Sequence, residues 1–374
     1  MTALRIIVFL LGAVIVVSTV LSAIRTFVLP RAAPVLIGRL VFLGLRSVFD
    51  LFARPSRPYA DRDRIMALYG PLALLSLATT WVLLVGFGYT LMYWAAGIRP
   101  LSEAVITSGS SLLTLGFQRP VVTSTVLLAF SEAALGLLLI ALLITYLPVI
   151  YAAFTRREIS VTLLEAFAGS PPSSCEFLLR HYRIGGLARL DDNWLSWQTW
   201  FADVEESHTS IAALCFFRSP QPDRSWVTAA GCTLDAAALH ASCLDMEREP
   251  EAELCIRAGY LCLRHIANFF AISYDPDPAS DDPISIRRAE FDEVWQRLAR
   301  EGLPMKPEPD QAWRDFAGWR VNYDAVLIAL ARLTMAPPAP WTGDGLTPDP
   351  RPSILGGVRR GLPNDSTWRG EARG

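Results

Sequence analysis

Residues 108–120 read "SGSSLLTLGFQRP", a serine- and threonine-rich stretch between two long apolar runs. It is too short and too polar to cross a bilayer, whereas the runs beside it, Leu68 to Ile98 and Val122 to Phe154, are long enough. A further run of that kind, Leu4 to Leu29, comes earlier. Before the quoted stretch, Pro100 and Ser102 mark a helix start, with Ser102 as N-cap and Glu103 in the first turn. A helix from there to Leu113 covers only ~18 Å at ~1.5 Å per residue, short of a hydrocarbon core. Arg119 and Pro120 then lead into the next run, so the chain returns to the side it left. The stretch is a re-entrant hairpin. Non-helical backbone at membrane depth is tolerated only inside protein or along a watery path. The hairpin therefore either packs the bundle or lines a pore.

Composition agrees with a membrane half followed by a soluble half. Of 374 residues, 52 % are hydrophobic and 19 % charged, and the apolar excess lies in residues 1–154. A net charge of −2 offers nothing to a nucleic acid. Lys306 is the only lysine, which reads as the codon bias of a GC-rich genome. The six cysteines (Cys175, Cys215, Cys232, Cys243, Cys255 and Cys262) follow the membrane half without a CxxC pair. They read as reduced, buried thiols.

Arginine placement sets the topology. The first run has almost no positive segment before it, no cleavage-site pattern after it, and Arg25 and Arg31 at its end. It reads as an anchor with its N-terminus outside, not a signal peptide. Next comes "PVLIGRLVFLGLRSVFDLFARPSRP", residues 34–58, where Arg39, Arg46, Asp50 and Arg54 form a polar stripe on an apolar helix. It is either a fourth span or an interfacial helix. Seven arginines lie between Arg31 and Arg64, and Arg156 and Arg157 follow the last run. The loop between the second and third runs has only Arg99 and Arg119. Three crossings put both arginine-rich flanks in the cytoplasm, so the interfacial reading is preferred.

Within the hairpin, Ser111 and Thr114 stand three apart and run into Leu115-Gly116-Phe117. This resembles the pore loop of the potassium-channel superfamily, whose pattern is T-x-x-T-V-G-Y/F-G-D. The resemblance covers residues 68–154. It implies that Ser111, Thr114, Leu115, Gly116, Phe117 and Gln118 form an ion-conduction filter, whose carbonyls replace the hydration shell of a cation. The preceding helix would aim its negative end at that cation. One loop cannot enclose a pore, so a homotetramer is implied. The permeant ion would be monovalent, K+ among the candidates, with no cofactor, in the inner membrane of a prokaryote. Two positions depart from the pattern: Gln118 replaces its second glycine and Arg119, at the pore mouth, its aspartate. A left-handed backbone at Gln118 would cost ~1–2 kcal/mol that glycine avoids. A ring of Arg119 side chains would repel entering cations. The rival expectation is a membrane-anchored signalling or interaction protein that keeps the scaffold without conduction.

"LLVGFGYT", residues 83–90, looks like a second filter but sits inside a continuous span, where Gly86 and Gly88 serve helix packing. Tyr93 and Trp94 then belong to an interfacial aromatic belt. In the third span Glu132 lies about ten residues, ~15 Å, from the start. An intramembrane carboxylate is either functional or a brace behind the hairpin. Gly136 and Pro148 are candidate gating hinges, or packing positions.

The last half reads as helical. Trp194, Trp197 and Trp200 recur at steps of three, "ELCIRAGYLCLRHIANFF" is a buried helix, and "HTSIAALCFF" is the one competitor for a strand. No phosphate loop, G-x-S-x-G or H-E-x-x-H occurs, and no enzyme is expected. His240, Cys243, Cys262 and His265 have spacings that suit either zinc or a helical core, and core is preferred. Glu205, Glu206 and His208 suit an acid–base cluster or a solvated turn, and the turn is preferred.

The expected whole is an all-α membrane protein in a lipid bilayer: an N-terminal transmembrane helix (1–30), an interfacial amphipathic helix and linker (31–66), a span/pore-loop/span channel-like module (67–157), a cytoplasmic helical domain (158–335) and a disordered tail (336–374).

Overall fold

The computed structural model describes residues 2–27 and 36–342. Among these the chain is helical, no strand forms, and one isolated antiparallel bridge joins Leu244 to Met305. The first half comprises α1 (Thr2–Phe27), α2 (Leu36–Phe52), α3 (Tyr59–Ala67), α4 (Tyr69–Ala96), α5 (Leu101–Leu112) and α6 (Thr123–Ala168). The second half adds α7 (Ser174–Arg183), α8 (Asp191–Ser210), α9 (Trp226–Cys243), α10 (Pro250–Phe269), α11 (Arg288–Arg300), α12 (Pro309–Arg320) and α13 (Asp324–Thr334). Three helical stretches are long and apolar enough to cross a membrane: Thr2–Thr26, Tyr59–Ala96 and Thr123–Ala168.

α1 and α4 run antiparallel in close contact. Gly12 lies against Gly88, and Trp81 Nε1 donates to Ser22 Oγ at 3.1 Å. Paired glycines let the two backbones approach, as small residues do where packing drives association in lipid. Tyr69 and Gly70, at the start of α4, touch Phe216 and Phe217 of the second half. The N-terminus of α1 therefore lies on the side opposite the domain, and the end of α1 on the domain side.

α2 lies on that domain side. Tyr69 Oη donates to the Phe42 carbonyl at 3.1 Å, and Phe42 and Phe49 pack edge-on to the Tyr69 ring. Arg46 is buried and pairs with Asp50 at 3.1 Å. Leu36, Leu40, Val48, Leu51 and Phe52 remain exposed, so α2 has one face on protein and a second, apolar face uncovered.

Several expected boundaries move. The linker after α2 holds α3, which runs on into α4. The helix of the third apolar run does not stop at Phe154 or at residue 157, where the channel-like module was expected to end. α6 continues as one 46-residue helix whose Val161, Leu164 and Ala168 enter the domain core. A buried apolar stripe in the extension sustains the helix where charge alone suggested a stop. "HTSIAALCFF" is the end of α8 followed by a 3-10 turn, Ala212–Phe216. "EESHTS" is helical, not a solvated turn, because Ser207 and His208 face the core. The first residues of the expected tail are docked: Ala339 and Thr342 are buried, and the Trp341 carbonyl accepts from Arg320 Nη2 at 2.7 Å. Residues 343–374, which hold the rest of that expectation, lie outside the described residues.

The domain core is aromatic and aliphatic, with Trp194, Trp226, Phe201, Phe291 and Tyr323 fully buried. All six cysteines are free and buried. Arg157 of α6, also fully buried, is the joint between the halves. Its Nε and Nη2 donate to Glu158 Oε1 at 2.9 and 2.7 Å. Nη1 reaches His208 Nε2 at 3.0 Å and the Leu214 carbonyl at 2.8 Å, and Nη2 the Phe217 carbonyl at 2.8 Å. A planar guanidinium with five donors suits such a node, and an ammonium does not.

Candidate functional site

The site is the hairpin between α4 and α6. Pro100, not Ser102, occupies the N-cap position of α5, and the Glu103 and Ala104 N–H groups bond its carbonyl. Ser102 falls in the first turn, since the extended backbone of Pro100 already starts the helix two residues earlier. α5 then descends between α4 and α6. Its end reaches Gly86, ~15 Å below the end of α4 at ~1.5 Å per residue. On the other side Gly136 meets the backbone of Leu112, and a methyl there would overlap the Leu112 carbonyl oxygen.

At Leu113 the chain turns. Thr114 and Gly116 have φ of 55° and 72°. Glycine adopts this region freely, whereas threonine pays ~1–2 kcal/mol for it. The strained position is thus Thr114, and Gln118 is not left-handed, which corrects the expected placement of the cost. The segment then climbs back along α5. Leu115 N–H donates to the Ser110 carbonyl at 2.9 Å, Gly116 N–H to the same oxygen at 3.3 Å, and Thr114 N–H to the Ser111 carbonyl at 3.0 Å. Gln118 N–H reaches Ser110 Oγ at 3.0 Å, and its Nε2 donates to Glu103 Oε2 at 3.2 Å, two turns higher on α5. Among the described residues, the carbonyls of Thr114, Leu115, Gly116 and Phe117 accept no hydrogen bond. Donors turn to the scaffold, and acceptors are left free.

Ser111 stays in α5, where its Oγ donates to the Thr107 carbonyl at 2.9 Å and receives Tyr93 Oη at 3.5 Å. Tyr93 is consequently buried behind the hairpin instead of lying in an interfacial belt. Trp94 stays at the edge, with the Arg99 guanidinium 3.4 Å over its ring. Glu132 is fully buried, and Ser108 Oγ donates to its Oε1 at 2.5 Å while lying 2.9 Å from the Gly86 carbonyl oxygen. The carboxyl thus connects α6 to α5 and, through Ser108, to α4. Leu113, Leu115, Phe117 and Arg119 are exposed, uncovered by any other described residue. α6 is unbroken at both Gly136 and Pro148.

Sequence reasoning missed Ser108, Ser110 and Glu103. The serine-rich string was visible, but which hydroxyl bonds which loop depends on the turn at Leu113, and the Glu103–Gln118 contact spans fifteen positions.

In the domain, the tested constellations disperse. His265 Nδ1 pairs with Glu205 Oε1 at 2.7 Å, and His240 lies against Trp194 with Glu249 Oε2 3.7 Å from its Nε2. No three metal-ligating side chains group among the described residues. His208 turns to Arg157, away from Glu205. Comparison with family models, with curated proteins and with solved structures returned no match.

Proposed function

We propose that this chain is a pore-loop cation channel, potassium-channel-like in plan, assembling as a homotetramer around the segment Thr114–Phe117. The observation that carries this reading is the division of the backbone groups. The N–H groups of residues 114–116 and 118 are held by α5, and four consecutive carbonyls have no partner among the described residues. At membrane depth an unpaired carbonyl costs several kcal/mol unless water or an ion meets it. Four such rows around a symmetry axis make a ladder of sites for a dehydrated monovalent cation. The exposed faces of α5 and of Leu113, Leu115 and Phe117 would be covered by neighbouring copies. On this reading the domain is cytoplasmic and the N-terminus outside, in the inner membrane of a prokaryote, an orientation favoured by the arginines between α2 and α4. α6 is then the gating helix, joined to a regulatory domain through Arg157.

One observation favours the second reading, a non-conducting membrane-anchored scaffold: Arg119 is exposed beside the outer end of the segment. Reconstituted flux with ion substitution decides. Gly116→Ala should abolish flux with the tetramer intact, because a side chain at φ of 72° is strained and crowds the axis. Arg119→Asp should raise cation flux, most at low salt, where screening is weak. A wild-type protein without flux, unchanged by Arg119→Asp, would give the scaffold reading the site.

A further inference from the structure

Many arginines of the domain surface have carboxylate partners: Arg156 with Asp203, Arg183 with Glu301, Arg248 with Glu253, and Arg288 with Asp292. Those without one among the described residues, such as Arg189, Arg300 and Arg314, are scattered along the domain. Between α2 and α4 the unpaired ones cluster. Among the described residues, Arg54, Arg57, Arg62 and Arg64 make no ion pair with any carboxylate. Of the two acids within that stretch, Asp63 is bonded by Arg218 at 2.8 Å, which leaves Asp61 alone against four arginines. Arg54, Arg57 and Arg64 are exposed, and Arg39 and Arg62 each have a buried Nε without a partner. A surplus of cations unmatched among the described residues calls for a counter-charge beyond them.

Its place in the fold says where. This corner sits on the domain side of the three apolar helices, at the level where Tyr69 begins α4 and receives Phe42 and Phe49 of α2. Beside it runs the uncovered stripe of α2, in which Leu36, Leu40, Val48 and Leu51 recur at helical spacing. An apolar stripe flanked by arginines at the end of spanning helices matches a membrane surface in both parts, acyl boundary and headgroup.

We infer that the α2–α3 corner is a seat for anionic phospholipid, with Arg54, Arg57 and Arg64 on the headgroup phosphates and the α2 stripe in the acyl boundary. This needs only that the apolar helices lie in a bilayer, and it stands whether or not the pore conducts. Bound lipid on the purified full chain in neutral detergent, followed by native mass spectrometry during titration, tests it. Phosphatidylglycerol should be retained in preference to phosphatidylcholine. Arg54→Gln/Arg57→Gln/Arg64→Gln should cost about a hundredfold in phosphatidylglycerol affinity, about fivefold per arginine, with phosphatidylcholine unaffected. Leu40→Gln/Val48→Gln should weaken both lipids. Were the triple variant to misfold, Arg57→Gln alone should still show the fivefold loss. Equal retention of the two lipids, or an unaffected arginine variant, would overturn the inference and leave these arginines a role in topology alone. Displacement of phosphatidylglycerol by inorganic phosphate at equal concentration would overturn it too, showing a soluble-anion site in place of a lipid seat.

Discussion

Glu132 shows how one side chain can tie three helices. Its carboxyl takes the Ser108 hydroxyl at 2.5 Å, and Ser108 sits 2.9 Å from the Gly86 carbonyl, so α6, α5 and α4 meet at a single polar contact inside an apolar bundle. Among buried groups the cost of losing a partner exceeds the net gain of having one. A brace of this kind needs hydrogen-bonding capacity and volume, not charge. Glu132→Gln should therefore leave the thermal midpoint of the detergent-solubilised protein close to wild type, whereas Glu132→Ala should lower stability by ~1–3 kcal/mol through the lost bond and the void. Equal damage from both variants would show that the ionised form matters and that the bracing role is wrong. Thr114 carries the opposite lesson. Its left-handed backbone at φ of 55° sets a β-branched residue where glycine is at home, and strain of that kind collects where geometry serves a site.

Between elements, the seat of α5 on α6 depends on Gly136. The helix passes so close to the Leu112 carbonyl that no methyl fits, and the obstacle is backbone, which cannot rotate aside. Gly136→Ala should cost ~1–3 kcal/mol by overpacking and displace the end of α5, and on the channel reading proposed above flux should be lost alongside stability. Gly38→Ala is the control: nothing lies within 4 Å of a methyl there, and a helical alanine gains ~0.5–1 kcal/mol over glycine. If Gly136→Ala keeps full stability yet alters flux, the position acts as a hinge and the packing role fails. This contact also marks the limit of what sequence could tell. The three apolar runs, the amphipathic α2 and the hairpin were legible, because length and periodicity are local properties. The glycines were legible as special, but hinge and contact leave the same letter in the chain. The end of α6 was not legible: Arg156 and Arg157 suggested a stop, yet the helix runs on to Ala168 and Arg157 is buried with five donor contacts in the domain. The pairs Glu103–Gln118 and Arg157–His208 join distant positions and leave no periodic trace.

At the scale of the whole molecule, α6 is common to both halves, so what the domain binds or how it titrates bears directly on the helix beside the hairpin. All four histidines lie in the domain, and their environments differ in sign. Burial, then the Arg157 guanidinium, holds His208 well below the ordinary 6.5. Burial, then Lys306, pushes His240 down to about 4, and burial also lowers His181. His265 goes the other way, raised by its hydrogen bond to Glu205. For His208 the unfolded chain takes up a proton near 6.5 that the folded one refuses, so stability is intact above 6.5 and drains as pH falls below it. For His265 the folded chain holds its proton more tightly, so its contribution is full below 6.5 and fades as pH rises through the raised value. Comparing variants with wild type isolates each group from the carboxylates that titrate alongside. His208→Gln, which keeps an acceptor for Arg157, should remove an acid-side loss of up to ~1.4 kcal/mol per pH unit below 6.5, so wild type falls relative to the variant from pH 6.5 to 5. His265→Gln should give a difference of opposite slope in a window above 6.5, with wild type gaining on the variant as pH falls from the raised value to 6.5 and no further change below. Thermal midpoints measured on both sides of pH 6.5 read both. Difference profiles of the same sign would refute the assignment, and a flat His208 profile would place that ring in contact with water instead of sealed against Arg157.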